Sequence, residues 1–356
     1  MSRKLLSYTA IGLILGSTAI ADVPKVAVDI APVHSLVARV MDGVGSPKLV
    51  IPAGASPHEY SLRPSEAKSL QDANMVIWIG EDLAPWMENS IETLSKNAEV
   101  ITLLKESGTK LLEFREGALF EEHDHGDHDD HDDHDDHDDH DDHDKDHDDH
   151  DEHDDHDKEH DDHDDHDDHD DHDEHDDHGG HDDHAHGEHD PHAWLSIENA
   201  QTWLNLVAGK LSAADPDNAG VYFANAAAAR EEINDLVKEV NSILEPVRGR
   251  NFVVFHDAYQ YFETSFNFPA AGAISLGDAT DPSAARIAEI QGRVKDEGIN
   301  CVLSEPQYNA NLVATVLSGT DAKTGVIDPL GLGLEPGPKL YGDLIRNMAK
   351  ALAGCL

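Results

Sequence analysis

Basic residues are scarce in this chain of 356 residues: 25 Lys and Arg stand against 74 Asp and Glu, for a formal net charge of −49. Such a balance repels a phosphate backbone and excludes nucleic acid as a partner. Most of the imbalance is local, because residues 121–190 hold 40 acidic residues and only two lysines. Cysteine is nearly missing as well. Cys301 and Cys355 are the only two. In an oxidising compartment an even pair reads as one disulfide, here one that would pin the last helix of the chain to a strand. Long apolar runs are also lacking. The apolar stretch at residues 5–15 is too short to span a bilayer, and no later segment is long and apolar enough to do so.

The start of the chain has the order of a secretory signal instead. Arg3 and Lys4 precede the apolar stretch, and Ala19-Ile20-Ala21 is a small-x-small cleavage site. Asp22-Val23-Pro24 then interrupts any helix. No cysteine follows the cleavage site, so no lipid anchor is expected at a new N-terminus. The expectation is a protein cleaved after Ala21 and released into a periplasm, without a membrane anchor and monomeric.

Beyond the signal, short β-branched runs alternate with helical patterns. Strands are expected at 25–30, 47–51, 75–80 and 99–103, with helices at 32–41, 64–73 and 83–94. The rhythm resumes with strands at 251–255, 271–276, 301–304 and 323–327 and helices at 258–266, 283–297, 310–317 and 340–352. A β-α-β-α order implies parallel sheets covered by helices. The fold class is therefore α/β, with two Rossmann-like lobes and a cleft between them for a small ligand. Residues 217–244 form one long helical pattern whose apolar stripe is Val221, Phe223, Ile233, Leu236, Val240 and Ile243. A single long helix as the connection would resist wide hinge motion. The chain thus divides into a signal peptide (1–21), an N-terminal lobe (22–122, completed by 190–214), an inserted acidic segment (123–189), a linking helix (215–247) and a C-terminal lobe (248–356).

The inserted segment is low in complexity. It repeats Asp-Asp-His, holds 23 of the 27 histidines, and contains one residue, Ala185, that is not His, Asp, Glu, Lys or Gly. It has no apolar area to bury against its chain entropy and is expected to be disordered without metal. Imidazole and carboxylate both ligate metals, and imidazole suits Zn²⁺, Cu²⁺ and Ni²⁺. An acidic spacer would need no regular histidine, so the pattern reads as many weak metal sites.

Only His34, His58, His192 and His256 lie outside that segment. His58 stands in Ser56-Pro57-His58-Glu59-Tyr60, after a strand. His192 stands in Asp190-Pro191-His192-Ala193-Trp194, and His256 ends the strand Val254-Phe255-His256. Asp328 ends another, in Val326-Ile327-Asp328-Pro329. Ligands of open α/β sheets bind at the carboxyl ends of strands. Three imidazoles and one carboxylate make a four-coordinate set that suits Zn²⁺. His34 lies inside a helical pattern and reads as a structural or supporting residue. A zinc hydrolase would need an open metal position and a general base. The chain has no H-E-x-x-H, no G-x-S-x-G and no P-loop, so no enzyme is expected. A zinc store remains as an alternative, although a store needs no single ordered site.

These runs carry a family resemblance. Gly54-Ala55-Ser56-Pro57-His58-Glu59-Tyr60-Ser61-Leu62-Arg63-Pro64-Ser65, Asp190-Pro191-His192-Ala193-Trp194-Leu195-Ser196, Phe255-His256-Asp257-Ala258-Tyr259-Gln260-Tyr261-Phe262 and Ile327-Asp328-Pro329-Leu330-Gly331 resemble the zinc-uptake members of the ABC-transporter solute-binding proteins, cluster A-I. The resemblance implies two lobes joined by one long helix, with zinc held between them by His58, His192 and His256 and passed to the membrane permease of an ABC importer. Some zinc members use an acid just before the first His as a ligand. Here that position is Pro57, which leaves Asp328, a water or a histidine of the inserted segment as the fourth ligand.

Overall fold

The computed structural model describes residues 23–115, 189–275, 283–296, 298–307 and 310–356. The signal peptide and all of the His/Asp segment except His189 lie outside these residues. Short apolar runs form the central strands, buried on both faces as in parallel sheets. β1 (Val26–Val28) and β3 (Met75–Trp78) are buried at every residue. With β2 (Lys48–Leu49) and β4 (Glu99–Thr102) they make an all-parallel sheet in the order β2-β1-β3-β4. The connecting helices α1 (Ala31–Val40), α2 (Pro64–Gln71) and α3 (Pro85–Leu94) each carry a proline in the first turn, where a missing N–H costs nothing.

The second lobe repeats that plan. β5 (Phe252–His256), β6 (Gly272–Ser275), β7 (Cys301–Ser304) and β8 (Lys323–Val326) form a parallel sheet in the order β6-β5-β7-β8. Between the two sheets run α4 (Ile197–Ala214) and α5 (Ala219–Leu244). α5 has 26 residues and at 1.5 Å per residue spans about 39 Å. Residues 217 and 218 belong to a 3₁₀ turn before it. Its buried stripe is Tyr222, Ala226, Ala229, Ile233, Leu236, Val240 and Leu244. Val221 and Phe223 flank that stripe and are exposed, which corrects their expected place on it: steps of three and four residues start from Tyr222.

In the second lobe α6 (Gln260–Phe266), α7 (Ala284–Asp296) and α8 (Ala310–Val316) precede the last helix, α9 (Leu340–Cys355). α9 packs on α5, α1 and β8, so it touches both lobes. One core cluster runs from the first sheet through α4, α5 and α9 to the face of β5 that presents Phe252 and Val254. Val253 and Phe255, on the opposite face, join a smaller cluster with Ile274, Ile290 and Val302, the period-two alternation of a strand. The Cys301–Cys355 disulfide ties the start of β7 to the end of α9. The described residues belong to one compact unit. No helix among them is long and apolar enough to cross a membrane.

Candidate metal centre

The loop between β2 and α2 carries His58 and is held at two points. Trp86 of α3 donates its indole N–H to the Pro57 carbonyl at 2.7 Å. The Tyr60 hydroxyl donates to the Glu66 carboxylate at 2.9 Å, which also accepts the Arg63 amide at 2.7 Å. Gly54 in the same loop has φ +87°, and a Cβ there would lie 2.7 Å from Leu332 Cδ1. The backbone of the first lobe thus comes against the loop that follows Asp328 in the second.

His192 is 2% exposed and opens a 3₁₀ turn, Ala193–Leu195, that leads into α4. Asp190 Oδ1 accepts both the His192 amide at 2.9 Å and its Nδ1–H at 2.7 Å. Trp194 lies beside the imidazole and donates Nε1–H to the Pro329 carbonyl at 2.9 Å, which ties this turn to the Asp328 segment. His256 is the last residue of β5 and 3% exposed. Its Nδ1 pairs with Glu305 Oε1, just past the end of neighbouring β7. A carboxylate on Nδ1 fixes the tautomer, turns Nε2 outward as the metal-facing atom and raises its basicity. Asp190 and Glu305 were not singled out in the sequence.

The three imidazoles come together from both lobes. The ring centres of His58 and His192 are 5.8 Å apart, and those of His192 and His256 are 5.3 Å apart. For Zn–N bonds of about 2.1 Å, two imidazole centres in a tetrahedral shell lie about 5 Å apart. Among the described residues no group of three or more His, Cys, Asp or Glu is closed tightly enough to hold an ion as the side chains stand. Of these two pairs, His58 and His192 are the wider. Asp328 Oδ1 accepts the Leu330 and Gly331 amides at 2.9 and 3.0 Å, a turn that sets the direction of its carboxylate.

His34 stands apart from this set. It is buried in α1, and its Nε2 lies 3.2 Å from the Pro47 carbonyl at the entry to β2. Burial pulls its pKa below the usual imidazole value, against the pull of that carbonyl. Arg115 lies where residues 112–115 meet α6, between the Asp257 and Glu263 carboxylates. Burial disfavours its charge, yet Glu263 and Asp257 outweigh that and hold its pKa above the ordinary arginine value.

Two parallel-sheet lobes fused through long helices, with imidazoles gathered from a loop and a turn of the first lobe and a strand end of the second, define a two-lobed α/β binding protein. The model of the family described as "Zinc-uptake complex component A periplasmic" matches residues 26–355, and the chain belongs to that family. It is 44% identical over 341 residues to the high-affinity zinc uptake system protein ZnuA of Brucella abortus (strain 2308), covering 96% of this chain and 94% of that protein. It is 45% identical over 346 residues to the ZnuA of Paracoccus denitrificans (strain Pd 1222), covering 96% and 95%. Among solved structures, a crystal structure of ZnuA superposes with a TM-score of 0.66 at 18% identity, over 94% of this chain and 99% of that one. A ZnuA lacking residues 138–173, solved with zinc bound, gives 0.65 at 19%, over 94% and 98%. At these identities the solved structures speak for the fold.

Proposed function

We propose that this chain captures Zn²⁺ between its lobes through His58, His192 and His256, with Asp328 as fourth ligand, and delivers it to the membrane permease of an ABC importer. The protein is the periplasmic zinc-binding component of a zinc uptake system. The observation that carries the ligand set is the paired support of two imidazoles: Asp190 on His192 and Glu305 on His256. A histidine that ligates a metal through one nitrogen has its other nitrogen held in this way. Three neutral imidazoles and one carboxylate neutralise only part of the charge of Zn²⁺, and the Asp190 and Glu305 carboxylates lie against two of the imidazoles that carry the remainder. With Oδ1 of Asp328 bonded to backbone amides, ligation through its other oxygen is monodentate. The reading includes export by residues 1–21 with cleavage after Ala21, action as a monomer without a membrane anchor, and no catalysis.

The test is metal analysis with chelator competition on the purified protein. One Zn²⁺ per chain should be held tightly, and Mn²⁺ should displace it poorly, since imidazole favours the borderline metal. His58→Ala, His192→Ala and His256→Ala should each abolish tight binding, and Asp328→Ala should weaken it less. Retention of wild-type affinity in any one of the three histidine variants removes that residue from the site.

A further inference from the structure

Residues 112–115 and 189–190 form a narrow ribbon on the first lobe's side of the site. Glu113 bridges His189 in antiparallel sense, and the Asp190 amide donates to the Leu112 carbonyl at 2.9 Å. The ribbon lies against the segment of the second lobe that follows His256. Arg115 Nε donates to Asp257 Oδ2 at 2.9 Å and Nη1 donates to Glu263 Oε2 at 2.7 Å, while Nη2 reaches the other oxygen of each carboxylate. The Tyr261 hydroxyl accepts the Leu112 amide at 2.9 Å and donates to the Asp190 carbonyl at 3.0 Å. The Arg115, Asp257 and Glu263 side chains are 16%, 6% and 5% exposed, so solvent screens these bonds little.

Arg115 therefore joins two residues that each stand close to a candidate ligand. Asp257 follows His256 directly, and the ribbon that carries Arg115 also carries Asp190, the carboxylate on His192 Nδ1. A guanidinium fork bonded to two carboxylates has a fixed geometry that a lysine cannot reproduce. The lobes are already fused by α5, by α9 and by a common core, so this cluster is not what keeps them together. We propose that Arg115 is a positioning residue for the metal site, fixing the spacing of the His192 and His256 rings and slowing loss of the bound ion. The proposal rests on the reading that both histidines ligate zinc. Release requires the two rings to part, and parting them pulls Asp257 away from the fork.

The experiment uses the full chain loaded with Zn²⁺ and rapid mixing with excess EDTA, the slow phase reporting the tight site. The melting temperature of EDTA-treated protein is followed alongside. Arg115→Gln should speed the slow phase on the order of 10–100-fold, the usual cost of losing a supporting group at a metal site, with the association rate little changed. Arg115→Lys keeps the charge without the fork and should fall between. Asn225→Ala serves as a structural control, because Asn225 anchors α5 to the Val40 and Asp42 carbonyls away from the site. It should lower the melting temperature and leave release unchanged. Wild-type release in both Arg115 variants overturns the proposal, and so does release that follows melting temperature across all variants. Should Arg115→Gln not fold, Arg115→Lys alone decides by the same criterion. A wild-type protein with no slow phase overturns the zinc-site reading itself, an outcome separate from either.

Discussion

An imidazole ligates through one nitrogen, and whatever is bonded to the other nitrogen decides how firmly it is aimed. Glu305 has that place on His256 and is 4% exposed. Glu305→Ala should therefore weaken tight zinc binding on the order of 10–100-fold in chelator competition. Glu305→Gln should weaken it less, because its amide oxygen still accepts the Nδ1–H. Equal affinity for Glu305→Ala and wild type would reduce Glu305 to a packing partner. The three histidines were legible in the sequence because only four stand outside the acidic segment and these three sit at strand ends or turns. Glu305 was not legible. It is one acid among 74, and its partner lies 49 residues away. Arg115 was hidden for the same reason, with partners 142 and 148 residues distant. His34 illustrates the other kind of buried histidine. Burial lowers its folded pKa below the usual imidazole value of about 6.5, so below that pH the unfolded chain takes up a proton that the fold resists. The stability held by neutral His34 is present above about pH 6.5 and declines as the pH falls. Burial raises the Asp29 and Asp257 pKa values to about 7 and about 6, which acts in the opposite sense over the same range, so the test is a difference: the urea midpoint of EDTA-treated wild type minus that of His34→Gln should fall from pH 7.5 to 5.5. A difference that does not change with pH would exclude His34 as a contributor.

Among the elements, α9 packs on α1 of the first lobe, on β8 of the second and on α5, and it depends on two small features of the second sheet. Gly325 in β8 lets the helix approach: a Cβ there would lie 2.8 Å from Leu303 Cδ2 and 3.1 Å from Cys355 Cβ. Gly325→Ala should cost about 1–3 kcal/mol, the range for overpacking a filled core, read as a lower urea midpoint with an unchanged slope. The disulfide holds the end of the same helix. Cys301 and Cys355 are 54 residues apart, and a chain-entropy treatment of such a loop gives about 4 kcal/mol. The double variant Cys301→Ser/Cys355→Ser should lose much of that, and the denatured, unreduced wild type should show no titratable thiol. The pairing could be read from the cysteine count and the export signal. The alternation of strands and helices was equally legible, since the central strands β1, β3 and β5 are short and apolar. The stripe of α5 was read one residue out at its start. Val221 and Phe223 are the bulkier apolar residues there, but alanines at 226 and 229 continue the buried face from Tyr222, and small residues carry little signal.

At the scale of the whole molecule, an ordered site fixed by two fused lobes is joined in one chain to a segment of 23 histidines and dense aspartate, residues 123–189. Except for His189 that segment lies outside the described residues, and its chemistry follows from composition. An exposed imidazole has a pKa of about 6.5 and must be neutral to ligate. Aspartates around it favour the protonated form and push its pKa upward. Zinc bound there should therefore be weak and lost at mildly acid pH. The interlobe site, with His192 and His256 buried and already aimed by carboxylates, should hold its ion to lower pH. On that expectation the segment serves as a collector that raises the zinc available to the tight site. The deletion that tests this must spare the ribbon, because His189 bridges Glu113 and Asp190 supports His192. Removing residues 123–184 meets that condition. Calorimetric titration at neutral pH should find several weak Zn²⁺ sites plus one tight site in the full chain and the tight site alone in the deletion. At mildly acid pH the two titrations should converge. In cells, the deletion should slow growth on scarce zinc and leave uptake intact when zinc is ample. Equal stoichiometry of the two proteins at neutral pH would make the segment a spacer, and loss of the tight site with the segment would make one of its histidines a ligand in place of Asp328.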